Sequence, residues 1–287
     1  MMKILFKKYW LIGLMPVFGF GCTERIDIDL DETYTRLVVN ANLTTDTAAH
    51  LVELSATTSY YYNEAPPAVT GAQVEITDDS GESVELTEKE AGKYYTPSTY
   101  FAVSGKTYSL RIDLAEPVNE KKTYTASCTA TPIHPIDSIH LRFQPDWGPD
   151  GFFEVQCYYQ DPPTKEFYMF NLFKNGVWLT DTITMRFISD DVFYNGSYTN
   201  GIGVGFLNQS FERQKVYEGD TVIFQGCSIT EDYFNYILTL QTEASGFSNP
   251  LFSGPPANVI GNISDGALGF FAVYSVSYAS TVYQLEP

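Results

Sequence analysis

From residue 36 onward, apolar and polar residues mostly alternate, and the alternation is broken at short intervals by Gly, Pro, Asn and Asp. A period of two is the mark of a strand with one face buried. The segments "RLVVNANL", "HLVELSATTSYY", "AQVEITDD", "ESVELTE", "GKYYTPS", "KTYSLRIDL" and "KTYTASCTA" predict seven strands between Arg36 and Ala130. In "AQVEITDD", Val74 and Ile76 face one way, while Gln73, Glu75 and Thr77 face the other. "DDSG" at Asp78 to Gly81 supplies a hairpin turn whose glycine is free to take a positive φ. Short alternating strands at this spacing predict an antiparallel β-sandwich of immunoglobulin or transthyretin type over residues 36–131.

"TPIHPID" at Thr131 to Asp137 interrupts the rhythm with two prolines, which a central strand does not tolerate, so a boundary is expected there. The second part, residues 136–287, again reads as strands: "SIHLRF", "FFEVQCYYQ", "EFYMFNLFKNG", "TITMRFI", "DTVIFQGCSI" and "LGFFAVYSVSY". It predicts a second β-rich sandwich or barrel carrying one amphipathic helix, in "SITEDYFNYILTLQTEASG". There Ser228 and Glu231 have capping-box spacing, Tyr233, Tyr236, Ile237, Leu240 and Ala244 form one apolar stripe, and Gly246 is the stop. The chain as a whole is expected to be all-β.

The first 35 residues follow a different pattern. Lys3, Lys7 and Lys8 precede an apolar run from Tyr9 to Phe20, and Gly21 stands directly before Cys22. Residues 1–21 read as a secretory leader, with an apolar stretch short of the roughly 20 residues that span a bilayer. A small residue before Cys is the pattern of bacterial lipoprotein signals, which makes Cys22 the expected lipid attachment point. An ordinary secreted protein or an uncleaved anchor would carry a similar leader. Residues 22–35 then form an acidic tether. In "DIDLDE" the sixth position of a calcium-binding loop would be Glu32 instead of Gly, and the twelfth Val38 instead of Glu, so a calcium loop is not expected.

Charge narrows the partners. The chain carries 35 Asp and Glu against 17 Lys and Arg, a formal net charge of −18, which argues against nucleic-acid binding and against a basic membrane-binding patch. Attachment to a membrane would come from acyl chains. Cys128, Cys157 and Cys227 show no CxxC spacing. One disulfide, between Cys128 and Cys157, and three buried free thiols are equally compatible with the sequence.

Signs of chemistry are sparse. His50, His134 and His140 lack metal-ligand spacing, and no HExxH, GxSxG or GxxxxGK[ST] motif occurs. "GIGVG" at Gly201 to Gly205 lacks dinucleotide-fold spacing and suits a loop or hairpin. The pairs Asp78–Asp79, Asp190–Asp191 and Glu231–Asp232 have simpler places in a turn, a loop and a helix start. No catalytic, cofactor-binding or metal-binding residue is therefore expected. Aromatics are the compositional excess, at 15% of the chain. Tyr60, Tyr61 and Tyr62 lie in a row before a proline pair, and Trp147 sits among turn formers in "QPDWGPDGFF". These four are expected on loops, as contacts for a partner or a stacked ligand or as local packing.

"VTGAQVEITDDSGESVELTEKEAGKYY", "SGKTYSLRIDL", "EGDTVIFQGCSITEDYFNYILTLQ" and "NPLFSGPPANVIGNISDGALGFFAVYSVS" together resemble the Bacteroidota lipoproteins grouped as domain of unknown function 4249. The resemblance implies an outer-membrane lipoprotein exposed at the cell surface and associated with TonB-dependent nutrient transporters. No catalytic residue comes with it. Asp46, Asp137, Asp181 and Asp220 each begin a triplet resembling an O-glycosylation acceptor. The expected function is a non-enzymatic accessory to such a transporter, tethered at Cys22, that captures a small nutrient or glycan or docks on the barrel. A structural or adhesive surface protein and a glycan-acting hydrolase are the alternatives.

Overall fold

A computed structural model of the protein describes residues 34–58, 65–244 and 259–285. The first half contains β1 (Leu37–Thr44), β2 (Leu51–Ala56), β3 (Gln73–Asp78), β4 (Ser83–Glu85), β5 (Thr87–Glu90), β6 (Lys93–Tyr95), β7 (Thr107–Val118) and β8 (Lys121–Thr129). The second contains β9 (Ser138–Gln144), β10 (Phe152–Tyr158), β11 (Phe167–Lys174), β12 (Val177–Trp178), β13 (Phe187–Asp190), β14 (Ile202–Asn208) and β15 (Thr221–Ile229). Helix α1 (Glu231–Ala244) and the long β16 (Leu268–Val282) follow. The fold is all-β with a single α-helix among the described residues.

The strands form three sheets. The largest runs β12-β11-β15-β16-β1-β2-β6-β5, with β13 also on β11; the others are β4-β3-β7-β8 and β14-β10-β9. In the first sandwich, β1, β2 and β6 face β3, β7 and β8 across a core that includes Val39, Leu54, Ile76, Tyr94, Leu110, Ile112 and Tyr124. In the second, β11 and β15 face β9, β10 and β14 across Leu141, Val155, Phe170, Leu172, Leu207 and Phe224. A third core lies beneath α1, where Tyr233 and Ile237 cover Met169, Cys227, Phe270, Ala272 and Tyr274.

β16 ties these cores together. It is parallel to β1, with Val38 opposite Leu268 and Thr44 opposite Tyr274, and antiparallel to β15 from Ser275 onward. Its alternation sends Phe271 and Val273 into the first core and Phe270, Ala272 and Tyr274 under the helix. The segment Thr131–Asp137 joins β8 to β9, and the first core does not close on residues 36–131 alone. Ile263, Ala267, Phe271 and Val273 also belong to its core.

Several local expectations change. "ESVELTE" divides into β4 and β5, with Leu86 buried between them. "TITMRFI" begins as a 3-10 turn, Ile183–Met185, before β13. "GIGVG" is neither a loop nor a hairpin turn: from Ile202 it lies in β14, antiparallel to β10, where its glycines leave room for larger neighbours. A Cβ at Gly203 would lie 2.7 Å from Glu154 Oε1, and one at Gly205 would lie 2.8 Å from Leu172 Cδ1. Helix α1 is capped by Thr230, whose Oγ1 accepts the N–H of Tyr233 at 3.3 Å. Ser228 stays in β15 and donates its hydroxyl to Thr131 instead, at 3.1 Å. Of the helical stripe, Tyr233 and Ile237 are buried and Ala244 is exposed, while Gly246 lies outside the described residues.

Candidate functional site

The β11–β12 hairpin positions one wall of a cleft. Asn175 and Gly176 both take positive φ, 50° and 78°, the geometry of a tight two-residue turn that follows the strand twist. The turn brings Trp178 back against Phe173, ring centroids 5.9 Å apart and nearly parallel. The Trp178 indole donates to Thr180 Oγ1 at 3.1 Å, and the same hydroxyl accepts the Leu172 N–H at 3.1 Å. Arg213 clamps the hairpin from outside, donating at 2.6 Å both to the Trp178 carbonyl and to Asp181 Oδ2.

Beyond Asp181 the chain makes the 3-10 turn and enters β13. Gln241 of α1 fixes that turn, its Nε2 donating to the carbonyls of Ile183 (2.9 Å) and Arg186 (2.8 Å). An open cleft of about 400 Å³ remains between this wall and β14. Its apolar lining includes Leu172, Phe187 and Phe206; its polar lining is Thr180, Thr184, Arg186 and Gln214. That volume falls in the ~300–1,000 Å³ range of small-molecule sites. Phe187 and Phe206 meet edge to face at 5.9 Å, and Trp147 packs on Phe206 at 5.5 Å. An aromatic series thus leads from the cleft to the exposed β9–β10 loop.

Arg186 is the cation of the cleft. Its guanidinium lies 5.3 Å from the centre of the Trp178 ring. Nη1 donates weakly to Tyr233 Oη (3.4 Å) and toward Met169 Sδ (3.6 Å). Nε is sealed from solvent and has no acceptor. No carboxylate among the described residues pairs with Arg186: Asp181 is held by Arg213, and Asp191 Oδ2 accepts the Glu166 N–H at 2.9 Å. Lys93, Lys106, Arg111, Lys121, Lys165 and Arg213 each meet an acid, whereas Arg36, Lys89, Lys122, Arg142, Lys174 and Lys215, like Arg186, make no ion pair among the described residues; what sets Arg186 apart is its sealed Nε. A partly desolvated guanidinium without a counter-charge is costly, and a bound anion would relieve that cost.

A second polar cluster lies behind β13 and is closed. Asp161 and Asp191 are buried. Asp161 Oδ1 accepts the Tyr168 hydroxyl at 2.9 Å, and Oδ2 accepts the Gly196 N–H at 3.1 Å. The Tyr168 hydroxyl also makes a very short contact with Glu166. Burial holds the Asp161 carboxyl above its ordinary range, against the pull of the Tyr168 and Gly196 hydrogen bonds. These acids do not line the cleft.

Other residues singled out by sequence fall elsewhere. Cys22, Tyr60, Tyr61 and Tyr62 lie outside the described residues, as do Asp27–Glu32. Trp147 is half-exposed, one ring removed from the cleft. Cys128, Cys157 and Cys227 are free thiols in three different cores, so the Cys128–Cys157 disulfide does not form. Burial pushes the Cys157 thiol up to about 12 and raises Cys128 and Cys227 as well. His50 is buried with its ring against the Asp46 carbonyl at 3.1 Å, and burial lowers its pKa. Among the described residues no group of His, Cys, Asp and Glu could hold a metal ion, and no helix is long and apolar enough to cross a membrane.

Sequence reasoning passed over Arg186, Trp178, Thr180 and Gln214. The one available signal was an arginine inside the otherwise apolar and neutral run "TITMRFI".

Among solved structures, the chain is similar to trypsin-activated alpha-2-macroglobulin from Escherichia coli at 12% identity and a TM-score of 0.22. That alignment covers 69% of this chain but only 15% of the other. It is also similar to a protein from Bacteroides uniformis proposed to bind carbohydrate, at 12% identity and a TM-score of 0.15, over 67% of this chain and 88% of that one. Likeness this slight bears on neither fold detail nor function. No curated protein matches the chain. The family comparison is decisive, because a single model, "Domain of unknown function (DUF4249)", matches residues 23–280, and the chain belongs to that family.

Proposed function

We propose that this chain is a lipoprotein of the outer membrane, anchored through Cys22 and exposed at the cell surface, that serves a TonB-dependent transporter without itself catalysing a reaction. It captures a small nutrient or glycan and presents it to the barrel. The observation that carries this reading is the cleft, in which Phe187 and Phe206 flank an arginine that no acid among the described residues satisfies. Fixed cation, stackable rings, the Thr184 hydroxyl and the Gln214 amide make a place to hold a ligand. What supports the anchoring is the leader of residues 1–21 and the small residue before Cys22. The two buried acids favour a structural role over hydrolysis, because Asp161 and Asp191 are closed off from solvent.

The test is to purify the tagged chain from its own membranes, with Cys22→Ser in parallel. The wild type is expected to carry a diacylglyceryl mass at Cys22 and to bring down a TonB-dependent barrel, whereas Cys22→Ser is lost from the membrane. An unmodified thiol, or recovery of no barrel, would count against the reading.

A further inference from the structure

We infer that the ligand of the cleft carries a carboxylate and that Arg186 is the residue that binds it. This inference rests on the reading of the cleft as a capture site and assigns the chemistry of what is captured.

The guanidinium has two working edges. Its Nη1 side is occupied, by Tyr233 Oη at 3.4 Å and Met169 Sδ at 3.6 Å, while the Nε–Nη2 edge has no acceptor among the described residues. That is the edge with which an arginine takes both oxygens of one carboxylate. Arg111 uses it so in this protein, with Nε 2.7 Å from Asp113 Oδ2 and Nη2 3.0 Å from Asp113 Oδ1. Arg186 has every means to pair but lacks the partner, in a chain where acids outnumber bases 35 to 17. Asp181, five residues before it, is held by Arg213, and Asp190, four residues after it, makes no ion pair.

The surroundings define the rest of the ligand. Trp178 covers the guanidinium, and Phe187 and Phe206 form an apolar flank, so the body behind the carboxylate is compact and has an apolar or ring face. The Thr184 hydroxyl and the Gln214 Nε2 face hydroxyl or carbonyl groups on that body, the Gln214 Oε1 being held by the Asn208 N–H. Met185 on the cleft wall and Trp178 against the guanidinium are both partly exposed, so a carboxylate reaches the sealed Nε only if one of them shifts. An acidic sugar and a short peptide with a free C-terminus share this chemistry.

Titration calorimetry with the mature full-length chain separates the sources, using four probes. Two are digalacturonic acid and its methyl ester; two are N-acetyl-alanyl-phenylalanine and its C-terminal amide. At least one acid is expected to bind, its neutral counterpart much more weakly, and the acid that binds identifies the source. Arg186→Gln should weaken that acid roughly 10- to 100-fold, the usual worth of hydrogen bonds to a charged group. Arg186→Lys, which keeps the charge and loses the fork, should fall between. If Arg186→Gln does not fold, the Lys variant carries the comparison. Binding of neither acid, or Arg186 variants that bind an acid as wild type does, would overturn the inference. Equal binding of acid and neutral forms would also overturn it, yet leave the capture reading standing. Recovery of the transporter tests that reading separately.

Discussion

Asn262 pairs with Phe271 as a strand neighbour would: its Nδ2 donates to the Phe271 carbonyl at 2.8 Å, and its Oδ1 accepts the Phe271 N–H at 2.8 Å. The same Nδ2 reaches the Ser127 carbonyl of β8 at 3.2 Å. One side-chain amide thus joins the edges of two sheets at a fully buried position of β16. Asn262→Ala leaves both backbone groups of Phe271 unpaired and should cost about 2–4 kcal/mol in urea unfolding. Asn262→Asp keeps the acceptor but sets a carboxylate against a carbonyl, and should not rescue.

Gly269 and Gly261 mark where backbones touch. Gly269 has a φ of 98°, and a Cβ there would lie 1.9 Å from the Val39 carbonyl oxygen; a Cβ at Gly261 would lie 1.6 Å from the Gly269 oxygen. Neither obstacle is a movable side chain. Alanine at either position should cost about 4 kcal/mol or more, read as loss of soluble, folded chain on expression.

How far these features were legible depends on how locally they are encoded. The alternation of Val74 and Ile76, the positive φ of Gly81 in the Asp78–Gly81 turn and the Tyr233–Ile237 stripe are neighbours in sequence, and each was readable there. The parallel pairing of β1 with β16 joins segments more than 200 residues apart and leaves no periodic trace. Separation along the chain also hid the true helix cap, since the Ser228 hydroxyl is drawn to Thr131, 97 residues earlier. Arg186 sat in a run that reads as a strand, and what distinguishes it, the contact with Tyr233, comes from a helix 47 residues on.

Asp78 and Lys106 should make stability fall in acid. Hydrogen bonds from Lys106 and Ser80, with the Glu82 N–H, hold the Asp78 carboxyl far below the usual carboxylate range. Because the folded value lies below the unfolded one, the stabilisation is complete above about pH 4 and is lost as pH falls through the depressed value. Asp78→Asn should lower stability at pH 7 and bring the difference from wild type toward zero as the solution is acidified, measured by denaturant midpoints.

Asp161 has the opposite sign. Its folded pKa is raised, chiefly by burial and further by Asp191, against the hydrogen bonds from Tyr168 and Gly196. The contribution is complete below about pH 4 and is lost as pH rises through the folded value. Asp161→Asn can keep contact with Tyr168 and Gly196, and should flatten the decline in stability between pH 4 and 7.

The three buried thiols should be inert. Burial raises all of them, and a thiol attacks a disulfide only as its thiolate. A disulfide reagent should leave Cys128, Cys157 and Cys227 untouched in native protein and modify all three in urea; fast labelling of any one in the native state would contradict its placement.

The working role of the cleft is tested most directly by native mass spectrometry of the chain purified from its own cells, wild type beside Arg186→Gln. If the cleft holds the captured ligand, the wild type carries an added mass of a small acid, and the variant, equally folded, has lost it. The same added mass on both, surviving the loss of Arg186, would place the ligand elsewhere on the protein.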